Sequence, residues 1–170
     1  MSNKAEQAIE IAEKITDLYE TNRLMAYEPY EYQKRFHDAK DMGGRLARQR
    51  LLMAANKTGK TFCGATELAL HLTGRYPQWW TGAKFSRPIT AWAAGNTTAN
   101  TRDIVQAELL GEPGDEEEFG KGAIPKQYIV GSPLRMPGVP NAYQSLNVKH
   151  ISGRNSKLIF KSYEQGKMQW

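Results

Sequence analysis

Near the amino terminus, apolar residues recur at three- and four-residue spacing: Ala5, Ala8, Ile9, Ala12, Ile15, Leu18 and Tyr19, with Glu and Lys between them. That period is helical and predicts an amphipathic packing helix over roughly residues 4–24. An aromatic stretch follows from Tyr27 to Phe36, containing Pro29, Tyr30, Tyr32 and Gln33, and then a polar link where Gly43 and Gly44 suit a turn. Leu51 to Ala55 is an unbroken apolar run, the pattern of a strand covered on both faces of a parallel sheet. Beyond it, Phe62, Thr66, Leu68, Ala69 and Leu72 give a helix starting at Lys60 an apolar side, and Gly74 stops it after Thr73. Residues 75–87 form a loop with Tyr76, Pro77, Trp79, Trp80 and Phe85. Ile89 to Ala94 reads as a second buried strand, and Thr97 or Thr98 can cap a helix ending near Leu110.

From Gly111 to Ala142 the pattern dissolves into Gly, Pro and charge, predicting a long connector with little secondary structure. Leu146 to Ile151 and Lys157 to Tyr163 then read as a hairpin turning through Gly153, Arg154, Asn155 and Ser156. The fold expected is α/β: a mostly parallel sheet with strands near 51–55, 89–94 and 158–163, and helices on its faces.

With 170 residues, 40% of them apolar, the chain has the size of one domain with a real core. Cys63 is the only cysteine, which excludes a disulfide framework and a Cys/His metal set and suits a reducing compartment. No segment approaches the ~20 apolar residues that cross a bilayer, so no membrane partner is expected. The net charge of +5 is uneven: residues 1–50 balance, 51–110 carry +3, 111–118 carry −5 through Glu112 and the run Asp115 to Glu118, and 119–170 carry +7. Lys149, Arg154, Lys157, Lys161 and Lys167 of that last third suit a polyanion such as DNA. They suit equally a solvated strand pair whose lysines protect a sheet edge.

Ala54-Ala55-Asn56-Lys57-Thr58-Gly59-Lys60-Thr61 meets the phosphate-loop pattern G-x-x-x-x-G-K-[ST], with alanine for the first glycine. In such a loop backbone N–H groups surround the phosphates, the lysine reaches the outer ones, and the hydroxyl holds Mg²⁺. Gly59 allows close backbone approach, Lys60 is the charge and Thr61 the metal-side hydroxyl. Lys57, a second cation inside the loop, either reaches the γ-phosphate and offsets transition-state charge or points to solvent. Upstream, Gln33 has an amide able to pair with an adenine edge, and Tyr30 or Tyr32 a ring able to stack on it; a surface glutamine among core tyrosines explains the same residues. Hydrolysis also needs an acidic residue ending another apolar strand. None is found: Asp115 to Glu118 follow no strand, and Glu164 lacks a second carboxylate.

With those motifs the chain resembles the N-terminal part of the ATPase domain of bacteriophage large terminases, the motors that package DNA into procapsids. The resemblance runs through PYEYQKRFH (29–37), LLMAANKTGKT (51–61), TGRYPQWW (73–80), residues 89–110, GKGAIPKQYI (120–129) and LIFKSYEQG (158–166). It implies a three-layer P-loop NTPase sandwich of the ASCE or RecA-like kind, cut before its Walker B strand, and divides the chain into an N-terminal helix (1–26), an adenine segment with P-loop and first α/β units (27–110), a connector (111–142) and a strand pair (143–170). It implies ATP and Mg²⁺ as ligands, with Tyr30, Gln33 and Asn56 to Thr61 holding the nucleotide, Thr61 the metal, and Lys57 and Lys60 serving catalysis. By the same resemblance the partners are double-stranded DNA, a portal protein and a small terminase subunit, with a homo-oligomeric ring in the full-length parent, and the location is the host cytoplasm. The Walker B carboxylates, the coupling motif and the nuclease domain of the family have no counterpart in the sequence, so nucleotide binding with poor hydrolysis is expected. Two other readings compete: a helicase-like P-loop ATPase fragment, and a non-catalytic DNA- or capsid-binding module with a vestigial P-loop.

Overall fold

The computed structural model describes residues 2–165, with side chains described from Lys4 to Thr16 and from Asn22 to Glu164. Lys167, the side chains of Leu18 and Tyr19, and the end of the predicted strand-pair segment lie outside the described residues. Helix α1 spans Ser2–Thr21, close to expectation, but its stripe is not covered: Ile9 and Ile15 are exposed, as is Ile11 outside the stripe. Part of the aromatic stretch is a short helix, α2 (Glu31–His37).

Helix α3 (Lys60–Thr73) has the predicted bounds. At its end Gly74 has a φ of +68°, and a Cβ there would lie 2.2 Å from His150 Nε2, so both backbone and space require glycine. Strand β1 (Thr90–Gly95) is followed by α4 (Thr98–Asn100), a π-helical stretch (Thr101–Gln106) and α5 (Ala107–Leu110). The Thr97 hydroxyl accepts the Asn100 N–H at 3.0 Å, the cap its sequence position predicts. Strands β2 (Ile129–Arg135), β3 (Tyr143–Lys149) and β4 (Asn155–Ser162) complete the described sheet.

The sheet order is β1-β4-β3-β2. Only β1 with β4 is parallel, while β4 with β3 and β3 with β2 are antiparallel, so the sheet is mixed rather than mostly parallel. The hairpin β3–β4 explains the difference, since a short turn can join only antiparallel strands. Leu51 to Ala55, expected as a buried strand, do not form one: Leu51 and Met53 are about four-fifths exposed, at 79% and 81%. An apolar run becomes a strand only where a neighbouring strand takes its N–H and C=O groups, and no described strand does so here.

The 111–142 connector is also corrected, because it contains β2 and its Phe119, Ala123 and Ile124 are buried. Ala123 and Ile124 donate backbone hydrogen bonds to the carbonyls of Glu108 and Leu109, at 2.8 and 2.9 Å, which fastens the connector along α5. Ala93, Leu146, Val148, Leu158 and Phe160 of the sheet pack with Leu70 and Leu72 of α3 and Leu109 and Leu110 of α5 in one core. In the strand register, Trp92, Asn147, Lys149 and Lys157 fall on the opposite face, which is exposed.

Candidate nucleotide site

The loop before α3 is shaped by two residues in left-handed backbone, Lys57 at φ +61° and Gly59 at φ +80°. Successive left- and right-handed residues turn N–H groups toward one side and build an anion-binding concavity. Lys60 Nζ donates to the carbonyls of Ala54, at 2.7 Å, and Ala55. The Thr58 hydroxyl donates to the Ala55 carbonyl at 2.9 Å. Asn56, Lys57 and Thr61 are exposed, and Lys60 is half-buried. The structure therefore gathers Asn56 to Thr61 into one compact turn at the start of α3.

A cleft of about 540 Å³ adjoins this turn, lined by Tyr27, Glu28, Tyr30, Gln33, Gly59 and Phe62 among others. Tyr30 is exposed and its ring stacks near-parallel with that of Tyr32, centroids 6.1 Å apart. Gln33 is placed differently from a free reading head. It is 2% exposed, its Oε1 accepts the Tyr30 N–H at 2.9 Å, and its Nε2 donates to the Gly59 carbonyl at 3.3 Å. The Tyr32 hydroxyl donates to the Thr58 carbonyl. Both side chains thus tie α2 to the turn before α3.

Beneath lies a buried polar cluster that no motif in the sequence announces. Glu67, on α3, accepts from His37 Nδ1 at 2.8 Å and from both terminal nitrogens of Arg50, and its Oε1 lies 3.3 Å from His71 Nε2. The Arg50 guanidinium also donates to the Phe36 and His37 carbonyls, at 3.0 and 3.2 Å, and lies over the Phe36 ring. The Tyr27 hydroxyl lies 3.0 Å from His37 Nε2 and 3.5 Å from Gln33 Oε1. A lone acidic residue among the apolar positions of α3 is the available signal, since such a charge is almost never buried unless paired.

Burial alone pushes the Glu67 carboxyl up, but the hydrogen bonds from His37, His71 and Arg50, with the Arg50 charge, outweigh it and hold the group well below the usual carboxylate range. A carboxylate with a depressed folded-state pKa contributes stability that is fully present above the unfolded value, here 4.5, and is lost as pH falls through and below it. The stability difference between wild type and Glu67→Gln is expected to shrink as pH is lowered from about 7 to about 3, as read by urea midpoints.

A smaller groove, about 240 Å³, runs between α3 and α5 and is lined by Lys60, Thr61 and Glu108 among others. Glu164 instead caps a helix: its Oε1 accepts the Thr98 N–H at 2.6 Å, which lowers its carboxyl pKa. Asp115 to Glu118 lie in the connector and continue no strand; Glu118 pairs with Lys121, and Glu116 lies 3.8 Å from the guanidinium of Arg135, the last residue of β2. Among the described residues no group of three or more His, Cys, Asp or Glu could hold a metal, and no helix is long and apolar enough to cross a membrane. Of the basic residues, Lys149 and Lys157 lie on the exposed sheet face, Lys161 lies over the Trp92 ring, and Arg154 sits in the β3–β4 turn.

Residues 51–170 match the family described as the N-terminal part of the terminase large subunit, T4likevirus-type. Over 181 aligned residues the chain is 34% identical to the large terminase subunit of Salmonella phage P22. That alignment covers 96% of this chain but 35% of the P22 protein, so the chain spans about a third of the relative it matches. No solved structure matches it.

Proposed function

Because the chain belongs to the family of phage terminase large subunits, we propose that it forms the ATP-gripping part of a DNA-packaging motor. The observation that carries this reading is the turn Asn56 to Thr61, where two left-handed residues and the Lys60 ammonium concentrate donors and positive charge at the start of α3. In this reading the loop N–H groups and Lys60 hold the β- and γ-phosphates, and Lys57 lies near the outermost charge. Tyr30 offers a ring face to the base. Mg²⁺ would be held by the Thr61 hydroxyl together with phosphate oxygens, because a hard cation with a single protein oxygen depends on its substrate for the rest of its shell. Its chemistry would be neutralisation of phosphate charge. No described pair of carboxylates orients an attacking water, so the chain by itself is a binder with poor turnover.

The test is a titration of a fluorescent ATP analogue with Mg²⁺ into wild type and Lys60→Ala, with phosphate release measured alongside. Loss of the lysine's charge-assisted hydrogen bonds, about 1.5–3 kcal/mol, is expected to weaken binding by roughly ten- to a hundredfold. Equal affinity in the two proteins would sink the reading, and appreciable turnover that depends on Lys60 would overturn the claim of poor hydrolysis.

A second reading, a DNA or capsid contact independent of nucleotide, is favoured by Lys149, Lys157 and Trp92 sharing one exposed sheet face, with Lys161 over the Trp92 ring. It predicts DNA binding whose affinity falls steeply with salt and persists in Lys60→Ala, measured by fluorescence anisotropy. Salt-independent or absent binding would count against it.

A further inference from the structure

The base cleft and the phosphate loop are built from segments far apart in sequence, and one carboxylate joins their supports. Gln33, at the back of the cleft, reaches the Gly59 carbonyl of the loop. Behind Gln33 the Tyr27 hydroxyl bridges to His37, and His37 is held by Glu67 on the helix that starts from that loop. Arg50, immediately before the phosphate-loop segment, grips the same carboxylate and the C-terminal carbonyls of α2. On its far side Glu67 meets His71, which pairs with the Tyr76 hydroxyl at 3.1 Å, and that hydroxyl accepts the Phe85 N–H at 2.8 Å.

We propose that Glu67 is a positioning residue for the nucleobase: through His37, Tyr27 and Gln33 it sets the cleft in register with the phosphate loop, so that base and triphosphate are bound as one unit. The proposal rests on the nucleotide reading above. Gln33 acts in it as a strut, because both ends of its amide are spent inside the protein. The Tyr30 ring and the cleft wall then meet the base, and the Glu67 chain decides how far that wall stands from the loop. Glu67 touches no ligand in this scheme, so neutralising it with its shape kept, as glutamine, weakens the base contact more than the phosphate contact. A carboxylate that merely stabilised the fold would affect both ligand parts alike.

The experiment compares ATP with inorganic tripolyphosphate, which carries the same phosphates without a base, by calorimetric titration with Mg²⁺. Wild type is expected to prefer ATP, and Glu67→Gln, which keeps the shape and removes the charge, is expected to lower that preference about tenfold, within the usual range of coupling between sites. Tyr27→Phe deletes one hydroxyl of the chain and is expected to lower it in the same direction, about threefold. This second variant decides the matter should Glu67→Gln fail to fold. An unchanged preference in the folded variants, or equal weakening of both ligands, overturns the proposal while leaving the nucleotide reading intact. Equal binding of ATP and tripolyphosphate by wild type removes the base cleft and the proposal with it. Binding of neither ligand by wild type defeats the nucleotide reading itself.

Discussion

Glu67→Ala is expected to lower the free energy of unfolding by about 3–5 kcal/mol, the usual cost of removing one partner from a buried ion pair. The cause is what the mutation leaves behind. Arg50 and His37 lose the acceptor that made their burial tolerable, and His37, 2% exposed, sits where water replaces little of it. The pairs also span three segments, since Arg50 lies ahead of the turn before α3, His37 ends α2 and Glu67 lies within α3. One truncation therefore loosens the contacts of all three. In a domain whose whole margin is about 5–15 kcal/mol, this approaches global unfolding. Urea denaturation followed by tryptophan fluorescence checks it, with Trp79 and Trp80 packed close to the His37 ring as reporters. A loss below about 1 kcal/mol would mean that the cluster behaves as an exposed ion pair.

Gly122→Ala is expected to destabilise by about 3 kcal/mol, at the upper end of overpacking costs. A Cβ at Gly122 would lie 2.4 Å from both Leu109 C and Leu110 N. Those atoms are backbone at the end of α5, where Leu109 and Leu110 are buried and the Glu108 and Leu109 carbonyls accept hydrogen bonds from Ala123 and Ile124. Backbone held in this way cannot swing aside, so the connector must lift from the helix it covers. Gly64→Ala is the matched control. A Cβ there meets nothing within 4 Å, and it lies in the interior of α3, so alanine is expected to stabilise by about 0.5–1 kcal/mol. Paired melting curves of the two variants separate close packing from glycine loss in general; similar shifts of the same sign would refute the account.

The legible parts of the fold are those written in neighbouring residues. The bounds of α3, its Gly74 stop, the Thr97 cap and the β3–β4 hairpin all follow from a few adjacent side chains and their backbone preferences. The turn before α3 is legible for the same reason, since G-K-T and its flanks lie within one stretch. Its support is not. Glu67 is 30 residues from His37 and 17 from Arg50, and nothing local to any of them states that they meet. Gln33 presents in the sequence an amide available to a base, but its role depends on the Gly59 carbonyl 26 residues later. The apolar run Leu51 to Ala55 misleads as a strand signal because its pattern describes a preference for cover, and cover is supplied by other segments.

The sequence by itself therefore determined the glycine-containing turn before α3, the helix behind it and the family to which the chain belongs, because each is encoded in contiguous or recurring residues. Only the tertiary structure decided that the sheet is mixed, that the connector is part of the core, and that one buried glutamate joins α2, the loop entry and α3. The physical reason is the same in each case. A cap or a turn is satisfied by groups a few bonds away. A strand ladder or a buried charge is satisfied only by partners that the folded chain brings from elsewhere.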